Sequence, residues 1–110
     1  MQPDKVEVSM LCDIYGALLS EKEREALVNY YDDDLSLGEI AENSGISRQG
    51  VRYQIKFAEG KLLDYEQKLG LLASRRLLAG DIEALRAAAD GNETLTALID
   101  TLARHLFPEE

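Results

Sequence analysis

Residues Ser36 to Leu62, SLGEIAENSGISRQGVRYQIKFAEGKL, decide the fold, because they spell two helices joined by one tight turn at helix-turn-helix spacing. Ser36 is a good N-cap and Glu39, three residues on, reaches back to its backbone N–H, so a short helix is expected over Leu37 to Asn43. Gly45 ends it, since glycine alone takes a left-handed backbone without steric cost. The chain then reverses within Ser44 to Ile46, and Ser47 caps the next helix. Ile40, Ala41, Ile46, Val51 and Ile55 form the apolar set. Ala41 sits where the two helices cross closely, Ile46 plugs the turn, and Val51 with Ile55 lays the second helix on the first.

The other face of the second helix carries Arg48, Gln49, Arg52 and Lys56. Arg48, Arg52 and Lys56 stand four residues apart, so they form one stripe. In a helix-turn-helix the second helix enters the DNA major groove with its first residues at the base edges. That places Ser47, Arg48, Gln49 and Arg52 nearest the bases and Lys56 further along, toward the phosphates. A basic stripe by itself is an ordinary solvated face; the capped turn in front of it is what points to nucleic acid.

Bulk charge opposes that reading, because a chain of net charge -9 repels a polyanion. The charge is uneven, however. Residues 1 to 34 hold 3 basic and 9 acidic side chains, net -6; residues 35 to 80 hold 7 and 5, net +2; residues 81 to 110 hold 2 and 7, net -5. Nucleic-acid binding must therefore rest on the local field of the middle segment and be weak and salt-sensitive, or share the work with a protein partner.

Outward from the motif, the chain reads as all-α. Proline occurs only at Pro3 and Pro108, leaving the interior free for helices. A first helix is expected over Lys5 to Leu19, on the spacing of Leu11, Ile14, Tyr15 and Leu18. Ser20 with Glu23 repeats the capping-box signal and opens a second, to about Tyr31. Asp32, Asp33 and Asp34 then make a solvated acidic connector, lacking the glycine and downstream glutamate of a calcium loop. Beyond Lys56 the motif's second helix continues, because Val51, Ile55, Ala58, Leu62, Tyr65, Leu69 and Leu72 repeat like a heptad seam. The first helix, the C-terminal helices or a second subunit could cover that seam, and Gly70 is its expected break. After Gly80 two more helices are expected, Asp81 to about Ala89 and Glu93 to Leu106, the last capped by Asn92.

At 110 residues, 45% hydrophobic and 30% charged, the chain fits one globular domain. The expected division is a helix-turn-helix core over 5–72 and a helical extension over 73–110. No bilayer-spanning run and no signal-peptide pattern is seen, so a cytoplasmic protein without membrane insertion is expected. Cys12 is the only cysteine and reads as a packed thiol; His105 reads as a surface side chain. No catalytic, metal or cofactor arrangement can be assembled, and a non-enzyme is expected.

The run LSEKEREALVNYYDDDLSLGEIAENSGISRQGVRYQIKFAEGKL resembles region 4 of bacterial sigma factors, where a helix-turn-helix reads the upstream promoter element. Residues 12 to 72 as a whole, with YGALLSEKE, YYDDDLSLGEIAE, SRQGV and LLDYEQKL in combination, resemble the YlxM family of small bacterial helix-turn-helix proteins. The resemblance covers just over half of the chain. It implies a sigma-region-4-like fold and a regulatory role connected with the signal recognition particle pathway. Carried over by motif, Ser47, Arg48, Gln49 and Arg52 match the recognition-helix start. The sequence departs from the family at Gly50, where a helix former is usual, and in a longer, more acidic tail after about Arg76. The reading that follows is a dimeric DNA-binding regulator; the alternative is a module that binds a protein or RNA component of that pathway without binding DNA.

Overall fold

Two capping boxes start the motif and the helix before it. The Ser20 hydroxyl accepts the Glu23 N–H at 3.2 Å while the Glu23 carboxylate accepts the Ser20 N–H at 2.8 Å. Ser36 and Glu39 do the same at 3.1 and 3.0 Å. Each pair satisfies two donors that a helix N-terminus otherwise leaves without partners. The computed structural model describes residues 4–108 and contains six α-helices and no strand among them. They are α1 (Lys5–Tyr15), α2 (Glu21–Leu27), α3 (Leu37–Ser44), α4 (Arg48–Leu69), α5 (Leu71–Ala88) and α6 (Glu93–Leu106). The all-α reading holds, and the motif's second helix is indeed long.

The chain divides into two compact units, 1–72 and 73–110. In the first, α1, α2 and α3 all pack on α4. Val8, Leu11 and Tyr15 of α1, Ala26 and Leu27 of α2, Ile40 and Ala41 of α3, and Val51, Ile55, Ala58 and Leu62 of α4 are buried together, with Leu19 and Leu72. The seam is therefore covered inside the unit as far as Leu62, with Tyr65 packed partly against it. Leu69 is 57% exposed. It is the last residue of α4, and Gly70 reverses the chain there with φ 64° before the seam can continue.

Several boundaries differ from the sequence reading. The first helix stops at Tyr15 and tightens into a 3₁₀ turn, Gly16–Leu18, which brings Leu19 into the core. The second widens after Leu27 into a π-helical turn, Val28–Asp32. Ile46 lies over the turn, 39% exposed, its Cδ1 3.5 Å from where a Gly50 Cβ would stand. The fifth helix begins at Leu71, ten residues before the expected Asp81, and passes through Gly80. One interior glycine costs about 1 kcal/mol, which the surrounding leucine, alanine and arginine helix formers outweigh.

What starts α5 so early is Tyr15. Its hydroxyl donates to Glu66 Oε1 at 2.7 Å and accepts the Leu71 N–H at 3.1 Å, while the same Glu66 oxygen accepts the Leu72 N–H at 2.9 Å. Two side chains from α1 and α4 thus do for α5 what a local cap does for α3. In the second unit, α5 and α6 bury Ile82, Ala89, Ile99 and Phe107, and Arg86 pairs with Asp100. Gly91 at φ 84° turns the chain between the helices, and Asn92 caps α6 by accepting the Leu95 N–H at 3.0 Å. His105 is exposed; Cys12 is half-buried against the core, where burial and then Asp32 and Asp13 push its thiol up.

Tyr15→Phe keeps the ring in the core but leaves the Leu71 N–H without its acceptor. It is expected to lower unfolding stability by about 1–3 kcal/mol, measured by urea denaturation; an unchanged midpoint would show that α5 starts without this contact.

Candidate nucleic-acid interface

The interface is built from the turn outward. Gly45, at φ 72°, closes α3, and the Ser47 hydroxyl accepts the Gly50 N–H at 3.0 Å to open α4. Gly50 is suited to that cap, since a Cβ there would stand 3.2 Å from the Ser47 Oγ. Ser47 thus spends its lone pair on the helix and keeps its hydroxyl proton for an outside acceptor. Arg48, Gln49, Arg52 and Lys56 follow, all exposed. Arg48 leans back over α3, with its Nε 3.7 Å from the position of a Gly38 Cβ.

The electrostatics of this face are unlike those of the chain. Ser47 to Lys61 holds four cations and one acid, Glu59, and Glu59 is only 4% exposed. Its carboxylate accepts the Tyr31 hydroxyl proton and lies 3.6 Å from Lys56 Nζ. Lys61 pairs with Glu23 of α2 at 3.0 Å. The Ser20 backbone N–H, then Lys61, hold that carboxyl below its ordinary 4.5. Arg48 and Arg52 have no carboxylate partner among the described residues, so their charge is free to meet a phosphate.

Arg52 and Lys56 also line a cleft of about 580 Å³ that reaches Lys5, Tyr30, Tyr31 and Glu59. Lys5 pairs across its mouth with Asp34, which takes a left-handed backbone at φ 56°. Asp32, expected to be simply solvated, accepts the Ser9 hydroxyl at 3.1 Å. Among the described residues no group of three His, Cys, Asp or Glu side chains has metal-binding geometry. No helix among them is long and apolar enough to cross a membrane.

The structure also exposes two rings on α4 that the sequence reading did not single out. Tyr53 and Phe57 are 70% and 50% exposed on α4, their rings 16° from parallel with centroids 6.1 Å apart. Lys61 Nζ sits 5.1 Å over the Phe57 ring. The available signal was their register: two aromatics four apart, off the apolar seam, each directly following a cation.

A family described as "Putative helix-turn-helix protein, YlxM / p13 like" (UPF0122) matches residues 3–102. The chain belongs to the UPF0122 family. A UPF0122 protein of Clostridium botulinum is 55% identical over 69 residues, which span 63% of this chain and 63% of that protein. One from Caldanaerobacter subterraneus is 45% identical over 86 residues, 78% of this chain and 74% of the relative. One from Halalkalibacterium halodurans is 42% identical over 100 residues, 88% and 92%. The family match runs past Arg76 through most of α6, so the acidic C-terminal helices are part of what the family describes rather than an addition to it.

Glu59 depends on Tyr31, so Tyr31→Phe is expected to cost about 1–3 kcal/mol in thermal or urea unfolding. Burial, then the Glu59 carboxylate, raises the Tyr31 hydroxyl above its ordinary 10.0; burial, then Glu66, does the same for Tyr15. The stability these two protons contribute is complete below that value and is lost as pH rises beyond it. Tyr31→Phe should make the alkaline decline shallower, and an equally steep decline would assign it to other groups.

Proposed function

We propose that the chain is a non-enzymatic regulator in the cytoplasm that binds nucleic acid through the first turns of α4, with Arg48, Gln49 and Arg52 toward base edges and Lys56 toward phosphate. One observation carries the reading: two exposed guanidiniums without carboxylate partners stand on a Ser47-capped second helix whose outward surface, from Ser47 to Lys61, is cationic in a chain of net charge -9. The rest of the molecule repels the same polyanion, so association should fall steeply with salt. Duplex DNA is the target that helix-turn-helix geometry favours.

Arg48→Ala with Arg52→Ala tests it by fluorescence anisotropy against mixed-sequence duplex at low and near-physiological salt. Affinity is expected to fall at least about tenfold, while Lys56→Ala, on the phosphate side, should reduce the slope of log K against log salt by roughly 1. Circular dichroism and the unfolding midpoint should not move, because these side chains are exposed. Unchanged binding would reject this face.

A second reading has an observation of its own. Leu85, Leu95, Leu98 and Leu102 are exposed around an almost wholly apolar cleft between α5 and α6 in the second unit. Such a surface suits a protein partner: a second copy of the chain, or a component of the signal recognition particle pathway to which the YlxM resemblance points. Leu98→Asp with Leu102→Asp should abolish self-association in sedimentation, or capture of the pathway GTPase, without changing DNA affinity. Retention of both would remove this surface from the account.

A further inference from the structure

We infer that the outward side of α4 carries a second nucleic-acid surface, in which Tyr53 and Phe57 stack unpaired bases, so that the chain binds single-stranded nucleic acid. This rests on the reading of α4 as a nucleic-acid helix and adds a ligand class to it.

Neither ring belongs to the core of either unit. Tyr15 is buried, Tyr31 and Tyr65 pack against the core and Phe107 is buried in the second unit, whereas Tyr53 and Phe57 stand in solvent. They are nonetheless held in place. The two rings lie nearly parallel, and Phe57 is covered on one side by Lys61, which is itself fixed to Glu23. A platform whose rings are already oriented loses less entropy when a flat ligand settles on it.

Charge and register fit a strand. Arg52 precedes Tyr53 and Lys56 precedes Phe57, so the same cation-aromatic doublet recurs after four residues, about 6 Å along the helix. The ring centroids are 6.1 Å apart, well beyond the roughly 3.4 Å rise between stacked bases of a duplex. Two rings at that spacing serve two bases of an unstacked strand, with Lys61 over Phe57 as the cation beside the platform. Tyr53 follows Gln49 by four residues and Phe57 lies about 40° further round α4, so the rings continue the proposed duplex edge onto the most outward side of the helix.

Gly60 completes the patch. It follows Lys56 by four residues and Phe57 by three, it is exposed, and nothing lies within 4 Å of where its Cβ would be. The fold does not require a glycine there. Its absent side chain leaves the helix backbone open beside the Phe57 ring, where a sugar-phosphate can approach. No exposed acid occurs between Ser47 and Lys61, which favours a polyanion over a mixed-charge protein surface.

The test is anisotropy of labelled single-stranded oligouridine and oligothymidine, beside a blunt duplex, with wild type, Tyr53→Ala/Phe57→Ala and the conservative Tyr53→Phe/Phe57→Tyr. Wild type should bind single strands, the alanine pair should lose roughly tenfold or more, and the aromatic swap should restore binding. The alanine pair should lose more affinity for single strands than for the blunt duplex, and equal losses would overturn a separate single-strand surface. Because the chain has five tyrosines and no tryptophan, tyrosine quenching by the oligonucleotide that disappears in Tyr53→Ala/Phe57→Ala reports the stack. Preference for one strand type assigns it to RNA or to DNA. Duplex binding without single-strand binding overturns this inference and leaves the duplex reading standing; silence with every nucleic acid overturns both. Alanine variants that bind strands normally but lose a protein partner would reassign the patch to protein.

Discussion

The apolar side of α4 is the constraint on which the first unit depends. Val51, Ile55, Ala58 and Leu62 are each at most 3% exposed, and the three preceding helices pack on that one helix. Fully burying side chains of this size is worth about 1.5–3 kcal/mol each for the larger ones, so the rotation of α4 about its axis is fixed by the core. Its outward face is fixed by the same contacts. Arg48, Arg52, Lys56, Tyr53 and Phe57 are oriented by residues that never meet a ligand, and their approach requires no rearrangement of the helix.

That arrangement also explains how an acidic chain can present a basic surface. The one acid within Ser47 to Lys61 is turned inward, where Tyr31 supplies a hydrogen bond and Lys56 a nearby charge. Glu23, the acid opposite Lys61, is committed to a capping box. Carboxylates with such partners project less negative field into solvent than free ones, while Arg48 and Arg52 keep their full charge at the surface. On the proposed reading, the acidic ends oppose nonspecific attachment to polyanions and make binding depend on fit at α4.

Much of the fold was legible because its decisive signals are local. Both capping boxes, the left-handed Gly45, the Ser47 and Asn92 caps and the break at Gly70 lie within four residues of the groups they satisfy. The start of α5 was not legible, since its partners come from Tyr15 and Glu66, one of them more than fifty positions away in sequence. The π-helical widening at Val28–Asp32 had no local signal. At the interface, counting charges found Arg48, Arg52 and Lys56. It passed over Tyr53 and Phe57, because rings on a helix are usually core, and only the rotation of α4 shows that these two are not.

The most direct test of the account is a ¹⁵N chemical-shift map of the full chain during titration with short duplex and single-stranded oligonucleotides. The account predicts shifts concentrated from Ser47 to Lys61, extending to Gly38 where Arg48 leans, with the buried residues of α1 and the helices of the second unit nearly still. Shifts confined to α5 and α6, or spread evenly over the chain, would contradict the claim that α4 is the helix that reads nucleic acid.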